Sequence, residues 1–209
     1  MYVSERMTRS PATVMPNYSV SKAYQIMTEG HYSQLPVVDS DNKLIGLVTE
    51  KLLAEVNPSS ATSLSVYEIN YLLSKTKVQD IMKTGIFKIN KDALIEDAAI
   101  IMKENRISSL PVIEGDNYLA GIITRTDIFK AFIDIMGVKA TGTRIAITTE
   151  DKVGVLADIT SILAEHNINI RNITDISENG KSEITIDASA AIEDIKAKGY
   201  NVTSVITVH

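Results

Sequence analysis

The sequence predicts a mixed α/β (α+β) chain in which two copies of a strand–helix–strand–strand–helix module precede a smaller ferredoxin-like βαββαβ sandwich. Three observations carry this reading. Residues 7–53 slide onto residues 82–128 at an offset of 75 without a gap, giving 14 identities in 47 positions. Within each copy the apolar spacing alternates between helical and strand periods. From Thr143 onward that module ends and a different alternation begins. Nine of the identities fall between Ser33/Ser108 and Thr49/Thr124, and duplicated halves of this kind are expected to pack across a pseudo-two-fold axis.

In the first copy Thr13-Val14 starts a short strand, and Ser19 precedes an apolar series at Val20, Ala23, Tyr24 and Met27, the spacing of one helix face. Leu35 to Val38 and Leu44 to Val48 form a hairpin whose connector, Asp39 to Lys43, is turn chemistry; its carboxylates read as a solvated loop and not as a catalytic pair. The second copy repeats the plan with a strand at Ile86 to Ile89, a helix carrying Ile95, Ala98, Ala99 and Met102, and strands at Leu110 to Ile113 and Leu119 to Ile123. Met7 and Met82 correspond. Between the copies, Ser65-Val66-Tyr67-Glu68 is a capping box opening a helix with Ile69, Leu72 and Leu73, so the linker is expected to be ordered.

The C-terminal part begins with a strand at Arg144 to Thr148, a turn at Asp151 to Gly154, and an amphipathic helix through Val155, Leu156, Ile159, Ile162 and Leu163 that ends near His166. Strands follow at Ile168 to Ile173 and Glu183 to Ala188 around the hairpin signal Asn179-Gly180. A short helix with Ile192 and Ile195 stops at Gly199, and a last strand runs from Val202 to Val208. The predicted domains are residues 1–57, a linker at 58–77, residues 78–138, and residues 139–209.

Composition excludes several function classes. The chain has 209 residues, 44% hydrophobic and 22% charged, enough for a buried core. No run approaches the roughly 18 apolar residues of a membrane span, and Glu5, Arg6 and Arg9 occupy the place of a leader's apolar stretch, so the expected location is the cytoplasm. Zero cysteines exclude thiol catalysis and cysteine-ligated metals. A net charge of −5 without a basic cluster argues against nucleic acid. His31, His166 and His209 lie in different modules without a metal-ligand spacing, and no phosphate loop or nucleophile elbow is present; neither catalytic nor metal-ligating residues are expected. His166 reads as a partner of the helix dipole.

Leu35-Pro36-Val37-Val38-Asp39 with Gly46-Leu47-Val48-Thr49, and Leu110-Pro111-Val112-Ile113 with Gly121-Ile122-Ile123-Thr124-Arg125-Thr126-Asp127, resemble the cystathionine-β-synthase (CBS) repeat, two of which form a Bateman module. Glu150-Asp151-Lys152-Val153-Gly154-Val155-Leu156, followed by Ile168-Asn169-Ile170, resembles the ACT domain, a small-molecule-sensing fold. The combination, with its linker, is similar to the acetoin-utilisation B (AcuB) family. The resemblance implies an adenosyl ligand (AMP, ATP or S-adenosylmethionine) in a cleft between the repeats, with Thr124 and Asp127 at the ribose and Thr84, Gly85, Ile86, Ser109, Leu110 and Pro111 around the adenine. Asp127 follows a strand at the start of a helix, where a carboxylate accepts from backbone N–H groups and from a cis-diol alike, so a helix cap competes with ribose binding.

The first repeat departs from the pattern, because Leu52 stands 75 residues before Asp127. Leucine accepts no hydrogen bond, and losing one or two charge-assisted bonds of roughly 1.5–3 kcal/mol each weakens a nucleoside at least about tenfold, so one ribosyl site per chain is expected. Ser33-Gln34 and Ser108-Ser109 replace the basic residues that often precede the Leu-Pro-Val strand in nucleotide-sensing relatives, which leaves Arg125, Arg106, Lys103 and His31 as candidate phosphate contacts. In the ACT portion Asp151, Gly154, Val155 and Leu156 form a loop whose helix N-terminus suits an amino-acid carboxylate; the alternative is a domain that only dimerises. The expected function is a non-enzymatic regulatory sensor, a homodimer acting on another protein with a link to acetoin metabolism carried by the resemblance alone. A ligand-free dimerising adaptor and an enzyme are the alternatives.

Overall fold

The computed structural model describes residues 1–56, 73–136, 142–178, 181–187 and 191–208, so the linker helix expected from Ser65 and the turn at Asn179-Gly180 lie outside the described residues. The chain divides into two compact units, Met1–Ile128 and Phe129–His209.

In the first unit a short 3-10 turn (Val3–Glu5) precedes β1 (Thr8–Arg9). The first repeat adds α1 (Val20–Gly30), β2 (Gln34–Val38), β3 (Leu44–Thr49) and α2 (Glu50–Val56). The second adds α3 (Val78–Ile81), β4 (Ile89–Asn90), α4 (Ile95–Glu104), β5 (Ser109–Glu114), β6 (Tyr118–Thr124) and α5 (Arg125–Ile135). The Ser19 hydroxyl caps α1 by accepting from the Lys22 N–H at 3.2 Å, and Val20, Ala23 and Met27 bury one stripe of it. Tyr24, which shares the apolar spacing, is 52% exposed. The strand expected at Thr13-Val14 reduces to a single parallel bridge from Val14 to Val37, because Pro11 and Pro16 on either side supply no N–H. Its counterpart is β4, parallel to β5, and it starts at Ile89 and not at Ile86.

The repeats exchange their lead-in segments. β1 of the first repeat pairs antiparallel with β6 of the second, Thr8 opposite Ile122 and Arg9 opposite Gly121. Seventy-five residues on, Lys83 pairs with Leu47 of β3 through two backbone bonds of 2.9 and 3.0 Å. The crossing is so close that a Cβ on Gly121 would lie 2.6 Å from the Thr8 carbonyl oxygen and 2.7 Å from the Met7 sulfur. At Gly46 the corresponding distances are 2.9 Å to the Lys83 oxygen and 2.8 Å to the Met82 sulfur. Glycine is required at both crossings by the space, and each methionine lies over the other repeat's glycine.

The hairpin turns also meet across the pseudo-dyad, with Ser40, Asp41 and Asn42 of the first exposed as expected of a solvated loop. Asn42 (φ 64°) and Asn117 (φ 70°) both take the left-handed conformation. The Leu44 N–H donates to the Asn117 carbonyl at 2.9 Å, and the Leu119 N–H donates to the Asn42 carbonyl at 3.0 Å. The Asn42 amide donates to the Leu119 carbonyl at 3.2 Å, and the Asn117 amide donates to the Leu44 carbonyl. Lys43 contacts Asp116 at 2.5 Å, which raises the lysine pKa and lowers that of the aspartate, chiefly through this hydrogen bond. Asp39 shapes its own turn by accepting from the N–H groups of Asp41 and Lys43.

The second unit contains β7 (Gly142–Glu150), α6 (Val155–Glu165), β8 (Ile173–Glu178), β9 (Lys181–Asp187), α7 (Ile192–Ala197) and β10 (Asn201–Val208). Its antiparallel sheet has the order β10-β7-β9-β8, that of a ferredoxin-like sandwich. Ile145, Ile147, Ile184 and Ile186 of the sheet pack against Ile159, Ile162, Leu163 and Ile195 of the helices. The strand expected at Ile168 begins five residues later, because Ile168 and Ile170 pack against this core from a lead-in segment while pairing with β9 starts at Ile173.

Gly121→Ala is expected to destabilise the first unit by roughly 1–3 kcal/mol through backbone overpacking, and adding Met7→Ala should not restore it because the Thr8 carbonyl stays in place. Circular-dichroism melts check this; an unchanged midpoint in Gly121→Ala would show that the strands separate at no cost.

Candidate functional site

β6 ends at Thr124 and α5 begins one residue later, so Thr124 caps the helix and Asp127 occupies its third position. The Asp127 carboxylate accepts from the Thr124 N–H at 2.9 Å and from its hydroxyl at 2.7 Å, while the Asp127 N–H donates to the Thr124 hydroxyl oxygen at 3.3 Å. This is a reciprocal capping box, and it fixes the carboxylate beside the end of the strand. Both accepted bonds use Oδ2; Oδ1 has no partner among the described residues. In the first repeat Thr49 accepts from the Leu52 N–H at 3.3 Å, and Leu52 returns nothing.

Thr124 lines a cleft of about 270 Å³ together with Ile122 of β6, Thr8, the segment Ser10-Pro11-Ala12, and His31 to Gln34 with Pro36 of the first repeat. Both repeats therefore build it. Its walls differ from the adenine contacts expected from sequence. Thr84, Gly85 and Ile86 follow Lys83, which lies against β3, and they do not line this cleft. Ser109, Leu110 and Pro111 lie one strand over, Ser109 opposite Thr124 and Pro111 opposite Ile122, and they stay out of the lining. The physical reason is the exchange of lead-in segments: the residues that meet Thr124 are those 75 positions earlier, among them Ser10, Pro11, Gln34 and Pro36. The signal was present in the sequence as Gly46 and Gly121 facing Met82 and Met7, but only the topology shows that each pair crosses repeats. Ser109 is 3% exposed and its hydroxyl has no partner among the described residues, a buried polar group next to the Thr124 strand end.

Beyond His31-Tyr32-Ser33, which line both, a second pocket of about 400 Å³ is formed by Tyr24, Met27, Thr28 and Glu50. His31 ends α1 in the left-handed conformation, and Arg106 takes it at the matching position of the second repeat. Neither is glycine, so both helix ends carry some backbone strain, and His31 does so in the lining of the cleft. Arg125 is exposed and lies outside the cleft lining.

In the second unit Asp151, Gly154, Val155 and Leu156 all line one pocket of about 220 Å³, with Lys152, Ala157, Asp175, Ser182 and Ile184. Gly154 has φ 99° and nothing within 4 Å of the place a Cβ would occupy, so α6 opens toward this pocket without a side-chain cap. Ser182 is buried and donates to Asp175. Glu150 pairs with Lys152, which lowers the carboxyl pKa below its usual range. Tyr200 donates to Asp158 at 3.0 Å; burial, then this hydrogen bond, raises the phenol pKa. His166 caps the end of α6 and contacts Asp194 at 2.6 Å. Among the described residues no cluster of three His, Cys, Asp or Glu could hold a metal, and no helix is long and apolar enough to cross a membrane.

Comparison with known proteins fits this geometry. The CBS-domain family matches residues 3–57 and 78–134, and the ACT-domain family matches residues 143–195. The chain is 33% identical over 152 residues to the chloroplastic CBS domain-containing protein CBSX1 of Arabidopsis thaliana, covering 64% of each. It is 32% identical over 127 residues to inosine-5'-monophosphate dehydrogenase of Methanocaldococcus jannaschii, covering 60% of this chain and 22% of that enzyme. The chain thus spans 64% of the first relative and about a fifth of the second. Among solved structures, CBSX2, an Arabidopsis thaliana protein, in complex with AMP is similar with 30% identity and a TM-score of 0.54, over 64% of this chain and 97% of that one. The CBS domain pair of MJ0100, in complex with 5-methylthioadenosine and S-adenosyl-L-methionine, has 25% identity and a TM-score of 0.53 over 67% and 98%. A Vibrio cholerae structure assigned to acetoin utilization (AcuB) has 27% identity and a TM-score of 0.55 over 66% and 95%. The chain therefore belongs to the CBS-domain family, as a tandem CBS pair followed by a C-terminal ACT domain.

Proposed function

We propose that this protein is a cytoplasmic, non-enzymatic regulatory sensor that binds one adenosyl ligand per chain in the cleft at Thr124. The observation that carries this reading is the carboxylate of Asp127, which lies outside the cleft lining itself but is fixed by its capping box on Thr124, a residue of a cleft lined from both repeats, with Leu52 at the matching place in the other half. The AMP complex of CBSX2 and the methylthioadenosine and S-adenosylmethionine complex of MJ0100 support the ligand class. A ligand held by Ser10 to Ala12 on one side and Thr124 on the other favours one arrangement of the two repeats over another, which is how binding is transmitted to a partner protein. The pocket at Gly154 suits an amino-acid carboxylate and gives the ACT domain a second, independent effector site. The exposed edge strands β8 and β10, with Ile176, Val205 and Ile206 exposed, support a homodimer. The similarity to the Vibrio cholerae protein supports acetoin metabolism as the setting.

Calorimetry with adenosyl ligands is expected to show one strong site per chain. Asp127→Asn keeps an oxygen for the cap but presents an amide to the ribose, so affinity should fall at least about tenfold with little change in melting temperature. Equal affinity in the variant would reduce Asp127 to a cap.

Thermal-shift screening with the common amino acids should identify at least one that stabilises the protein, with the shift lost in Gly154→Ala, whose φ of 99° strains any residue with a Cβ. A screen without any shift rejects the ACT effector.

Light scattering at micromolar concentration should return twice the chain mass. A monomer would exclude the dimeric sensor.

A further inference from the structure

Resting on the adenosyl-sensor reading, we infer that the Thr124 cleft and the adjoining Tyr24–Glu50 pocket form one bipartite site selective for an adenosyl sulfonium with an amino-acid tail over any adenosine phosphate. The cleft alone, about 270 Å³, falls just below the roughly 300–1,000 Å³ of small-molecule sites, whereas the adjoining pocket adds about 400 Å³. A ligand larger than adenosine therefore has room to continue past His31-Tyr32-Ser33.

The charge of that continuation selects the substituent. Among the described residues neither lining contains a lysine or arginine, and the one formal charge among them is the Glu50 carboxylate; Asp127 lies outside both linings, bonded to Thr124. A phosphate there would face the Glu50 carboxylate without a cation among the described lining residues. A sulfonium and an ammonium meet instead a carboxylate, two tyrosine rings and the Met27 thioether. The Tyr32 ring occupies the space left free at Gly30, where a Cβ would lie 2.0 Å from the ring edge.

A neighbouring pocket of about 500 Å³ shares Ser10 with the cleft and contains Arg9 and Lys91, but also Asp92 and Glu114. Arg9 pairs with Gly121, three residues along β6 from Thr124, about 10 Å at ~3.3 Å per residue. Lys91 is moreover paired with Glu114, and Arg9 donates to the Ser4 carbonyl at 3.4 Å. The apparatus belongs to this cleft only: at the 75-residue offset Tyr24, Gly30, Tyr32 and Glu50 become Ala99, Asn105, Ile107 and Arg125.

The test is calorimetry on the full chain at pH 8, where an ordinary histidine is neutral, with 5-methylthioadenosine, S-adenosylmethionine and AMP. S-adenosylmethionine should bind at least tenfold more tightly than AMP. Glu50→Gln should weaken S-adenosylmethionine roughly fivefold, as for one exposed ion pair, and leave methylthioadenosine unchanged. Gly30→Ala, which displaces Tyr32, should weaken it too. AMP binding as tightly as S-adenosylmethionine, or a Glu50→Gln variant with the parent's ratio between the two sulfur ligands, overturns the inference while the sensor reading stands. No binding of any of the three overturns both.

Discussion

The structure of the first unit depends on the exchange of lead-in strands. Thr8 completes the sheet of the second repeat and Lys83 that of the first, so neither repeat closes its own sheet. The exchange places Ser10, Pro11 and Ala12 of one repeat against Ile122 and Thr124 of the other, and the cleft exists because of that crossing. It also makes the cleft sensitive to the relation between the halves. The interlocked turns at Asn42 and Asn117 hold the same dyad from its other end, through four hydrogen bonds that use both backbone and side-chain groups. The two repeats are thus tied to each other both at the crossing strands and at the turns.

Asp127 shows why cap and ligand readings need not exclude each other. Its Oδ2 is committed to Thr124, which orients the carboxylate before any ligand arrives, and Oδ1 has no partner among the described residues. Preorganisation of this kind removes part of the ordering cost of binding. In the first repeat the cap at Thr49 runs in one direction only, so the same backbone holds a helix start and offers a diol nothing. At this helix start the two repeats differ by one carboxylate, Asp127 against Leu52.

The elements themselves were legible because their periods are clean: the buried residues of α1 and α4 are Val20, Ala23, Met27 and Ile95, Ala98, Met102, as their spacing predicts. Asp151, Gly154, Val155 and Leu156 line one pocket because they lie within six residues of one another, a span one loop brings together. The walls of the CBS cleft were not legible. Thr84 to Ile86 lie near Thr124 in sequence, and nothing in local periodicity says that Ser10 to Ala12, more than a hundred residues away, stand there in their stead. Strand pairing between repeats is a long-range choice, and a sequence with two equivalent lead-in segments is compatible with either partner. The strand start at Ile173 was misplaced for a related reason: an apolar run marks burial, and Ile168 and Ile170 reach the core without joining the sheet.

The two repeats divide their residues by task in a way the offset makes visible. Positions that are identical, Leu35-Pro36-Val37 with Leu110-Pro111-Val112, Gly46 with Gly121, Asn42 with Asn117, and Met7 with Met82, are those that pack, cross or interlock at the dyad. Each must satisfy the same geometry twice, so each tolerates the same residue only. Positions that differ, Leu52 against Asp127, Tyr32 against Ile107, Glu50 against Arg125, stand at helix ends and cleft rims where no symmetry-related contact constrains them. The frame therefore repeats the same backbone positions in both halves, and the rims give those positions different side chains.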